Sequence, residues 1–358
     1  MSLNLNDQEW IGFKIQDLFT VSKGIYLPKN KILKGKSPYI TASTYCNGIS
    51  DFIGNNTLFP SNTLTIEKVK LSAFYQPTSF YCSHDVSTLS HKELNKPVGL
   101  FVATMINRQG NKYSYGRQAQ LNVVKRETAF LPTSEENKPN WNFMHEYSAK
   151  LLNKKQGYYK KYCENILKQL EYKAIEPLSE KQWHEFFIKD LFPSIQRGKR
   201  LTKVHQEDGN KPYISSTASN NGVDEFIGNN SGVRKFSNCL TIANSGSVGS
   251  CFFHHYEFVA SDHVTHLKNT IFSKYIYLFI STQLNKLSSK YNFNREINDK
   301  RISREKVLLP INDKNQPDYD YMKQYMINLE FVKRKQYLAF IESKEKNIGN
   351  LTVDPCIK

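Results

Sequence analysis

The sequence predicts an α+β protein with two tandem β-rich domains, each followed by a long α-helix. Three observations predict this class. The chain repeats itself from end to end, the first part of each repeat has short β-rich runs broken by Gly, Asn and Pro, and the second part has a helical apolar period without proline. A helix of about 30 residues is roughly 45 Å long, and its apolar stripe needs a cover. We therefore expect the two helices to pack as an antiparallel coiled coil with pseudo-twofold symmetry. The alternative is that each helix lies on its own domain.

The repeat is clearest in NGISDFIGNN (47–56) and NGVDEFIGNN (221–230), which share seven of ten residues. Other blocks follow in the same order, at an offset that drifts only from 173 to 178 residues. They include EWIGFKIQDLF and QWHEFFIKDLF, PYITAST and PYISSTA, LTI and LTI, SHDVSTL and SDHVTHL, YSYGR and YNFNR, and NKPNWNFM and NQPDYDYM. So many blocks in one order indicate a tandem duplication.

The duplication also sets the predicted domain boundaries. We predict a first domain at 1–140, a central helix at 141–176, a second domain at 177–318, a C-terminal helix at 319–348 and a tail at 349–358. One helical segment is expected inside each β-rich domain, KPVGLFVATMINRQ in the first and FSKYIYLFISTQLNKLSSK in the second.

Helical periodicity selects the side chains expected between the two long helices. From Trp141 to Ala174 there is no proline and a single glycine, and Pro177 is expected to stop the helix. The candidates for helix–helix packing are Met144, Leu151, Tyr158, Ile166 and Leu170 in the first helix, and Met322, Met326, Leu329 and Phe340 in the second.

The shared decapeptide is interpreted as a turn and core motif. We expect positive φ at its glycines, because only glycine adopts that conformation at no steric cost. These glycines are Gly48, Gly54, Gly222 and Gly228. Phe52 and Phe226 are expected to be buried in the two domain cores.

Charge points to a polyanionic partner. The formal net charge is +16 and the isoelectric point is about 9.3, and nucleic acid is the commonest partner of such a chain. The alternative is the Lys- and Asn-rich composition of a low-GC genome. Six cysteines without a CxxC pair, and an N-terminus without a signal-peptide pattern, favour a reducing cytoplasm.

Catalytic and metal chemistry find little support in the sequence. There is no Gly-rich cofactor loop and no tetrapeptide typical of base methylation, so we predict no enzyme activity and no cofactor. A set of cysteines and histidines in the second unit matches no standard zinc spacing, so we predict no metal site. The set is Cys239, Cys251, His254, His255, His263 and His266.

Taken together, these marks resemble the DNA-specificity subunits of type I restriction–modification systems and the related recognition subunits of type IIB enzymes. The resemblance rests on the order domain, helix, domain, helix, and on W…F.I.DLF, PYI…NG and R…LP in each unit. It implies a non-catalytic subunit whose two target-recognition domains each read half of a bipartite sequence in double-stranded DNA. It also implies helices that set the spacing and dock methyltransferase subunits, with a nuclease subunit as a further partner. The alternative is a duplicated basic module that binds RNA or a protein.

Residues expected at the DNA fall into two groups. Basic side chains in the loops are candidates for phosphate contacts: Lys23, Lys36, Lys68, Lys70, Arg197, Lys199 and Arg200. Polar and basic side chains in equivalent turns are candidates for reading bases: Thr41, Ser43, Arg117, Gln118, Ser215, Ser216, Asn220, Ser245, Asn294 and Arg295. Where the second unit has IANSGSVGS (242–250), the first has IEKVKLS (66–72), so we expect the two domains to present different loops.

Overall fold

The computed structural model describes residues 3–56, 58–134, 136–291 and 295–351, with side chains as far as residue 343. The chain divides into two compact units, residues 1–160 (unit 1) and 161–358 (unit 2).

Unit 1 is a mixed α and β unit built from short strands. Its elements are β1 (Trp10–Lys14), α1 (Ile15–Leu18), β2 (Thr20–Lys23), β3 (Lys34–Ile40), β4 (Ile49–Ile53), β5 (Thr63–Glu67), β6 (Ala73–Gln76), β7 (Tyr81–Cys82), β8 (Val86–Ser90), α2 (Lys96–Asn107), α3 (Leu121–Arg126), β9 (Thr128–Pro132) and α4 (Trp141–Leu167), which crosses the unit boundary. A four-stranded sheet has the order β2-β8-β5-β6, a three-stranded sheet the order β4-β3-β7, and β1 pairs with β9. All of these pairings are antiparallel except β3 with β7.

Unit 2 repeats this topology. Its elements are β10 (Trp183–Phe187), α5 (Ile188–Leu191), β11 (Ser194–Arg197), β12 (Asp208–Ile214), β13 (Val223–Ile227), β14 (Lys235–Phe236), β15 (Cys239–Ala243), β16 (Cys251–His254), β17 (Phe258–Ala260), β18 (Val264–Lys268), α6 (Lys274–Leu284), α7 (Asp299–Arg304), β19 (Lys306–Pro310) and α8 (Tyr319–Leu351). The sheets have the orders β11-β18-β15-β16 and β13-β12-β17-β14, and β10 pairs with β19. Among the described residues, unit 2 adds strand β14, and at the matching place unit 1 has a bridge between Phe59 and Phe80.

Each core lies between the internal helix and the four-stranded sheet. In unit 1 the buried face of α2, with Val98, Val102 and Ile106, joins Leu64 and Leu89 of the sheet. In unit 2 the matching cluster combines side chains of α6 with β15 and β18. Each fully buried aliphatic side chain of this size contributes about 1.5–3 kcal/mol. The two internal helices predicted from sequence are therefore confirmed, and they carry the cores.

The long helices begin where the sequence predicts, and the same cap starts both. Asn140 Oδ1 accepts the N–H of Phe143 at 3.0 Å, and Asp318 Oδ1 accepts the N–H of Tyr321 at 3.0 Å. Such side chains satisfy backbone donors that have no partner within the helix. Helix α4 nevertheless ends at Leu167, before the predicted end at residue 176.

The early end of α4 has a tertiary cause within unit 2. Asn328 on α8 accepts the N–H of Lys173 at 3.1 Å and donates to its carbonyl at 2.6 Å. Tyr321 donates to the carbonyl of Glu176 at 2.8 Å. Because α8 side chains satisfy the Lys173 N–H and carbonyl and the Glu176 carbonyl, these three groups do not need helical partners.

The shared decapeptide is only partly what its sequence suggests. Gly48 and Gly222 have φ of +77° and +80°, as predicted. The prediction is wrong for Gly54 and Gly228, whose φ is not positive. There the requirement is space, since a Cβ would lie 2.8 Å from Lys34 O and 2.6 Å from Asp208 O.

The core assignment of the two phenylalanines is also wrong. Phe52 and Phe226 are 53% and 59% exposed on β4 and β13, which form the edges of their sheets. Successive residues of a strand face opposite sides. Ile53 and Ile227 take the buried positions, so the phenylalanines face outward.

Candidate nucleic-acid interface

Unit 1 has a polar cleft of about 390 Å³ at one end of its four-stranded sheet. Its walls come from the end of β2, the β5–β6 loop, the residues just before β8 and the segment leading into α3. The lining residues are Lys23, Lys68, His84, Asp85, Ser87, Ala119, Gln120, Leu121, Asn122 and Val123. The fold therefore brings together Lys23 and Lys68, two of the predicted phosphate-binding residues.

A buried carboxylate shapes the β5–β6 loop of unit 1. Glu67 is 2% exposed, and its side chain accepts the N–H groups of Val69 at 2.6 Å, Lys70 at 2.6 Å and Ser72 at 3.1 Å. Leu71 completes the turn with φ of +57°. One carboxylate thus fixes a loop that carries two lysines, with Lys70 exposed to solvent.

Lys68 is itself held in place by the facing loop. Its Nζ lies 2.6 Å from Asp85 Oδ1, and His84 Nε2 lies 3.4 Å from the same oxygen. The Lys68 carbonyl accepts the N–H of Ala119 at 2.6 Å. The cleft therefore presents an ammonium group with a carboxylate beside it.

Unit 2 builds the equivalent place from different residues. Its β15–β16 loop turns at Gly246 and Gly249, with φ of +59° and +86°. Ser245 Oγ lies 2.7 Å from His263 Nδ1, and the carbonyl of Asn244 accepts the N–H of Ile297 at 3.0 Å, as Lys68 does from Ala119. The framework is shared, but the side chains on it are not.

Three predicted residues lie around the β15–β16 loop of unit 2, residues 244–250, here called the Gly-Ser loop. Arg197 ends β11, the counterpart of β2, and its Nε donates to the Asp262 carbonyl. The Gly-Ser loop packs on Ser216, whose carbonyl accepts the N–H of Ser247 at 3.0 Å. Ser245, within this loop, is buried at 7% exposure and reaches His263, so it supports the site from below the surface.

Comparison with known proteins follows the same division of the chain. A profile of the type I restriction modification DNA specificity domain matches residues 7–157 and again residues 180–338. The chain belongs to this DNA-specificity family. Family members are the non-catalytic recognition subunits of restriction–modification systems, and this chain carries two tandem copies of their domain.

One relative agrees with this assignment, and two solved structures are similar to the chain. The chain is 30% identical over 327 residues to the specificity subunit S.BcgI of a type II restriction enzyme from Heyndrickxia coagulans, covering 89% of this chain and 94% of that protein. It is 18% identical to the type I S subunit from M. genitalium, with a TM-score of 0.47 and coverage of 97% and 96%. It is 13% identical to the HsdS subunit from Thermoanaerobacter tengcongensis, with a TM-score of 0.34 and coverage of 94% and 91%.

The other predicted DNA-binding residues of this specificity subunit lie in several settings. Exposed residues are Lys36 on β3, Arg117, Lys199, Arg200, Asn220 and Arg295, while Thr41, Ser43, Gln118 and Ser215 are half-buried. Asn294 lies outside the described residues. Ser43 accepts the N–H of Tyr45 at 3.2 Å, and the Arg295 guanidinium lies over the Tyr291 ring at 5.3 Å. The roles of these residues in DNA binding stay predictions.

Two equivalent tyrosine–glutamate pairs, one in each unit and not predicted from sequence, join the ends of the segments that carry Arg117 and Arg295. The Tyr113 hydroxyl donates to Glu127, and the Tyr291 hydroxyl donates to Glu305. Burial and the hydrogen bond with the carboxylate raise the pKa of each tyrosine to about 12. Burial opposes ionisation of the two glutamates, but hydrogen bonds from tyrosine and lysine outweigh it and lower their pKa. The repeated KY…R…RE spacing was the available signal.

Two histidines of the set weighed for zinc, His254 and His266, use their ring nitrogens in hydrogen bonds. His254 lies 2.8 Å from Thr241 Oγ1 and 3.2 Å from the Tyr256 hydroxyl, and burial lowers its pKa to about 4. His266 Nδ1 lies 2.9 Å from the Gln196 carbonyl, and burial also lowers its pKa. Within the described part of the chain, His, Cys, Asp and Glu form no group of three that could hold a metal ion.

Three of the residues predicted for helix–helix packing contact the core of their own unit. Met144 and Met322 are fully buried there, and Met326 is partly buried against the unit 2 core. Leu151, Tyr158, Leu329 and Phe340 have exposed fractions between 39% and 58%, Ile166 is half-buried, and Leu170 lies beyond the end of α4. Packing between the helices stays a prediction for the residues outside the cores. Among the described helices, none has the length and apolar character that crossing a bilayer requires.

Proposed function

We propose that this specificity subunit reads a bipartite sequence in double-stranded DNA, with the unit 1 cleft on one half-site and the equivalent loops of unit 2 on the other. The observation that carries the proposal is this pair of equivalent sites, which share a backbone framework and differ in their polar side chains. Unit 1 has Lys68 bonded to Asp85 there, whereas unit 2 has the buried Ser245 bonded to the exposed His263. Because bases are read by side chains and phosphates only position the protein, such a pair suits two different half-sites.

Charge supports DNA as the ligand. The net charge of +16 favours a polyanion, and both sites have a cation at the end of the same strand, Lys23 in unit 1 and Arg197 in unit 2. A basic residue common to both units suits phosphate, which is the same at every half-site. We assign the recognition domains to 1–140 and 177–318, and we infer that the subunit works in the cytoplasm, where it meets cellular DNA.

We further propose that the long helices set the distance between the half-sites as an antiparallel pair. Contacts inside unit 2 support this direction. Arg334 donates to Cys163 Sγ at 3.5 Å, Asn328 bonds the backbone of Lys173, and Tyr321 bonds that of Glu176. From Cys163 to Glu176 the residue numbers rise, while those of their α8 partners fall from Arg334 to Tyr321. The two segments therefore run in opposite directions. An antiparallel arrangement places equivalent domains on the two opposed strands of a duplex.

A groove in unit 1 supports docking of a methyltransferase subunit beside the helices. The groove measures about 680 Å³ and lies between α2 and α4. Leu100, Met105, Leu151 and Leu152 contribute to its apolar surface, and Arg108 and Lys155 stand at its edge. Exposed apolar surface of this kind marks interaction sites, and the basic edge suits a partner with acidic side chains. A nuclease subunit is a second expected partner.

The direct test is selection of duplexes from a library randomised at two half-sites and over several spacings, with the methyltransferase subunit present. We expect selection of one bipartite recognition sequence, and an affinity for DNA that falls steeply as the salt concentration rises. Replacing residues 1–140 with the corresponding domain of a relative should change one half-site and leave the other unchanged. Equal binding of all duplexes, or preferential binding of RNA or of a protein alone, would contradict the proposal.

A further inference from the structure

The equivalent sites of the two units, where the loop after the central strand meets the loop before β8 or β18, differ most clearly at one pair of positions. In unit 1, Asp85 stands directly before β8, and its carboxylate lies 2.6 Å from Lys68 on the β5–β6 loop. In unit 2, His263 stands directly before β18, and its ring bonds Ser245 on the β15–β16 loop at 2.7 Å. An ion pair in one unit therefore corresponds to a hydrogen-bonded imidazole in the other.

The structure fixes the backbone of His263 while its side chain remains open to solvent. Its N–H donates to Ser261 Oγ at 3.1 Å, and its carbonyl accepts the N–H of Asn244 at 2.8 Å. The side chain is nevertheless 55% exposed. An exposed ring on a fixed backbone loses little further freedom on binding, which favours a recognition role over a role in folding.

The hydrogen-bond network also selects the chemistry that the ring offers. Ser245 engages Nδ1, so Nε2 is the nitrogen available to a ligand. Asp262 Oδ1 lies 3.9 Å from Nε2, too far for a hydrogen bond, so this nitrogen keeps its capacity for a ligand. In the tautomer with hydrogen on Nε2, Nδ1 accepts the Ser245 hydroxyl and Nε2–H can donate to an acceptor on the ligand.

We propose that His263 is a specificity-determining residue of unit 2, which donates from Nε2 to the N7 or O6 edge of a guanine. This rests on the function proposed above. A phosphate contact would suit the same group in both units, as with Lys23 and Arg197. A side chain that differs at a shared framework position suits the part of the DNA that differs between half-sites, which is the base edge.

The pair in unit 1 extends the same reasoning to the other half-site. Lys68 and Asp85 place an ammonium donor and a carboxylate acceptor where unit 2 places imidazole and hydroxyl groups. Donors favour guanine and carboxylates favour the cytosine amino group. Substitutions at Asp85 and at His263 should therefore change different half-sites.

The test is duplex selection with the full chain and the methyltransferase subunit, comparing wild type with His263→Ala, His263→Gln and Asp85→Ala. We expect His263→Ala to lower the preference for guanine at one base pair by about tenfold or more. His263→Gln should shift that preference toward adenine, which a carboxamide binds through two hydrogen bonds. Asp85→Ala should change only the other half-site.

His255→Ala is the matched control, because His255 is also exposed in unit 2 but lies beyond the opposite end of β16 from the Gly-Ser loop. It should leave both half-sites unchanged. Equal loss of affinity for every sequence in His263→Ala would identify a phosphate contact and overturn the inference. So would an unchanged preference at both half-sites, or a change in both. If the wild type selects a bipartite sequence, any of these results contradicts the inference about His263 but not the proposed function. A wild type without sequence preference contradicts the inference and the proposed function alike.

Discussion

Unit 1 holds its cleft loop with a buried charge, and unit 2 holds the equivalent loop with glycines. Glu67 occupies the last position of β5, and Ala243 occupies the matching position of β15. In unit 2 the loop closes on itself, as Gly249 N–H donates to the Ala243 carbonyl at 2.9 Å. The β5–β6 and β15–β16 loops differ in their residues but share one backbone framework. A duplicated scaffold therefore tolerates different loop residues when the backbone groups of the loop still find partners. Each prediction below changes one side of this comparison.

The largest effect is expected from Glu67→Ala. This change gives unit 1 the alanine that unit 2 has at the matching position, but not the glycines of the β15–β16 loop. Three N–H groups lose a charged acceptor, so we expect unit 1 to lose about 4 kcal/mol of its free energy of unfolding. Glu67→Gln should lose less, because one carbonyl acceptor remains. Denaturant unfolding with hydrogen exchange as the readout for each unit checks this. Unchanged exchange of the β5 amides in Glu67→Ala would show that the carboxylate is not what holds the loop.

Acid should destabilise unit 2 through His254, which unit 1 replaces with Gln76. Each side chain reaches the threonine on the neighbouring strand, His254 to Thr241 at 2.8 Å and Gln76 to Thr65 at 2.9 Å. Burial lowers the pKa of His254 from 6.5 to about 4. Between these values the unfolded chain binds a proton that the folded unit excludes, so stability falls as pH falls through this window, by about 3 kcal/mol in total.

His254→Gln, the unit 1 residue, should remove most of this acid sensitivity, and Gln76→His should introduce it into unit 1. Thermal unfolding between pH 7 and pH 4 measures both variants. The burial of His266 lowers its pKa too, so a smaller acid effect of the same sign should remain in His254→Gln. A wild-type stability that does not change over this pH range would contradict the assignment.

The shared tyrosine–glutamate pair should behave alike in both units. Tyr113→Phe and Tyr291→Phe each remove a hydrogen bond to a carboxylate, and we expect a loss of about 2 kcal/mol in the unit concerned. Because this pair holds the segments with Arg117 and Arg295, each variant should also weaken DNA binding at one half-site. A loss in one variant alone would show that the two pairs are not equivalent.

Sequence alone predicts most of what the two units share. The repeated blocks predict one topology used twice, with a long helix after each β-rich domain. Periodicity cannot place the end of α4, because the residues that decide it are on α8, about 150 positions further along the chain. It also cannot set the phase of a short edge strand, where Phe52 faces outward although its type suits a core. The sequence does not indicate a DNA contact at His263, because its partner Ser245 is 18 residues away and its role depends on the fold.

The smallest effect concerns the segment between α4 and the second domain. Asn328 bonds both backbone groups of Lys173, and the residue at the equivalent place in α4 is Lys150, which is exposed. Asn328→Ala should cost about 1 kcal/mol, because the freed backbone groups can bond water. It should also raise hydrogen exchange of the Lys173 amide and leave the cores unchanged. Lys150→Ala is the control and should have no measurable effect. If Asn328→Ala lengthened α4 toward Ala174, the result would show that contacts with α8 determine where the helix ends, since the local sequence alone favours continuing the helix.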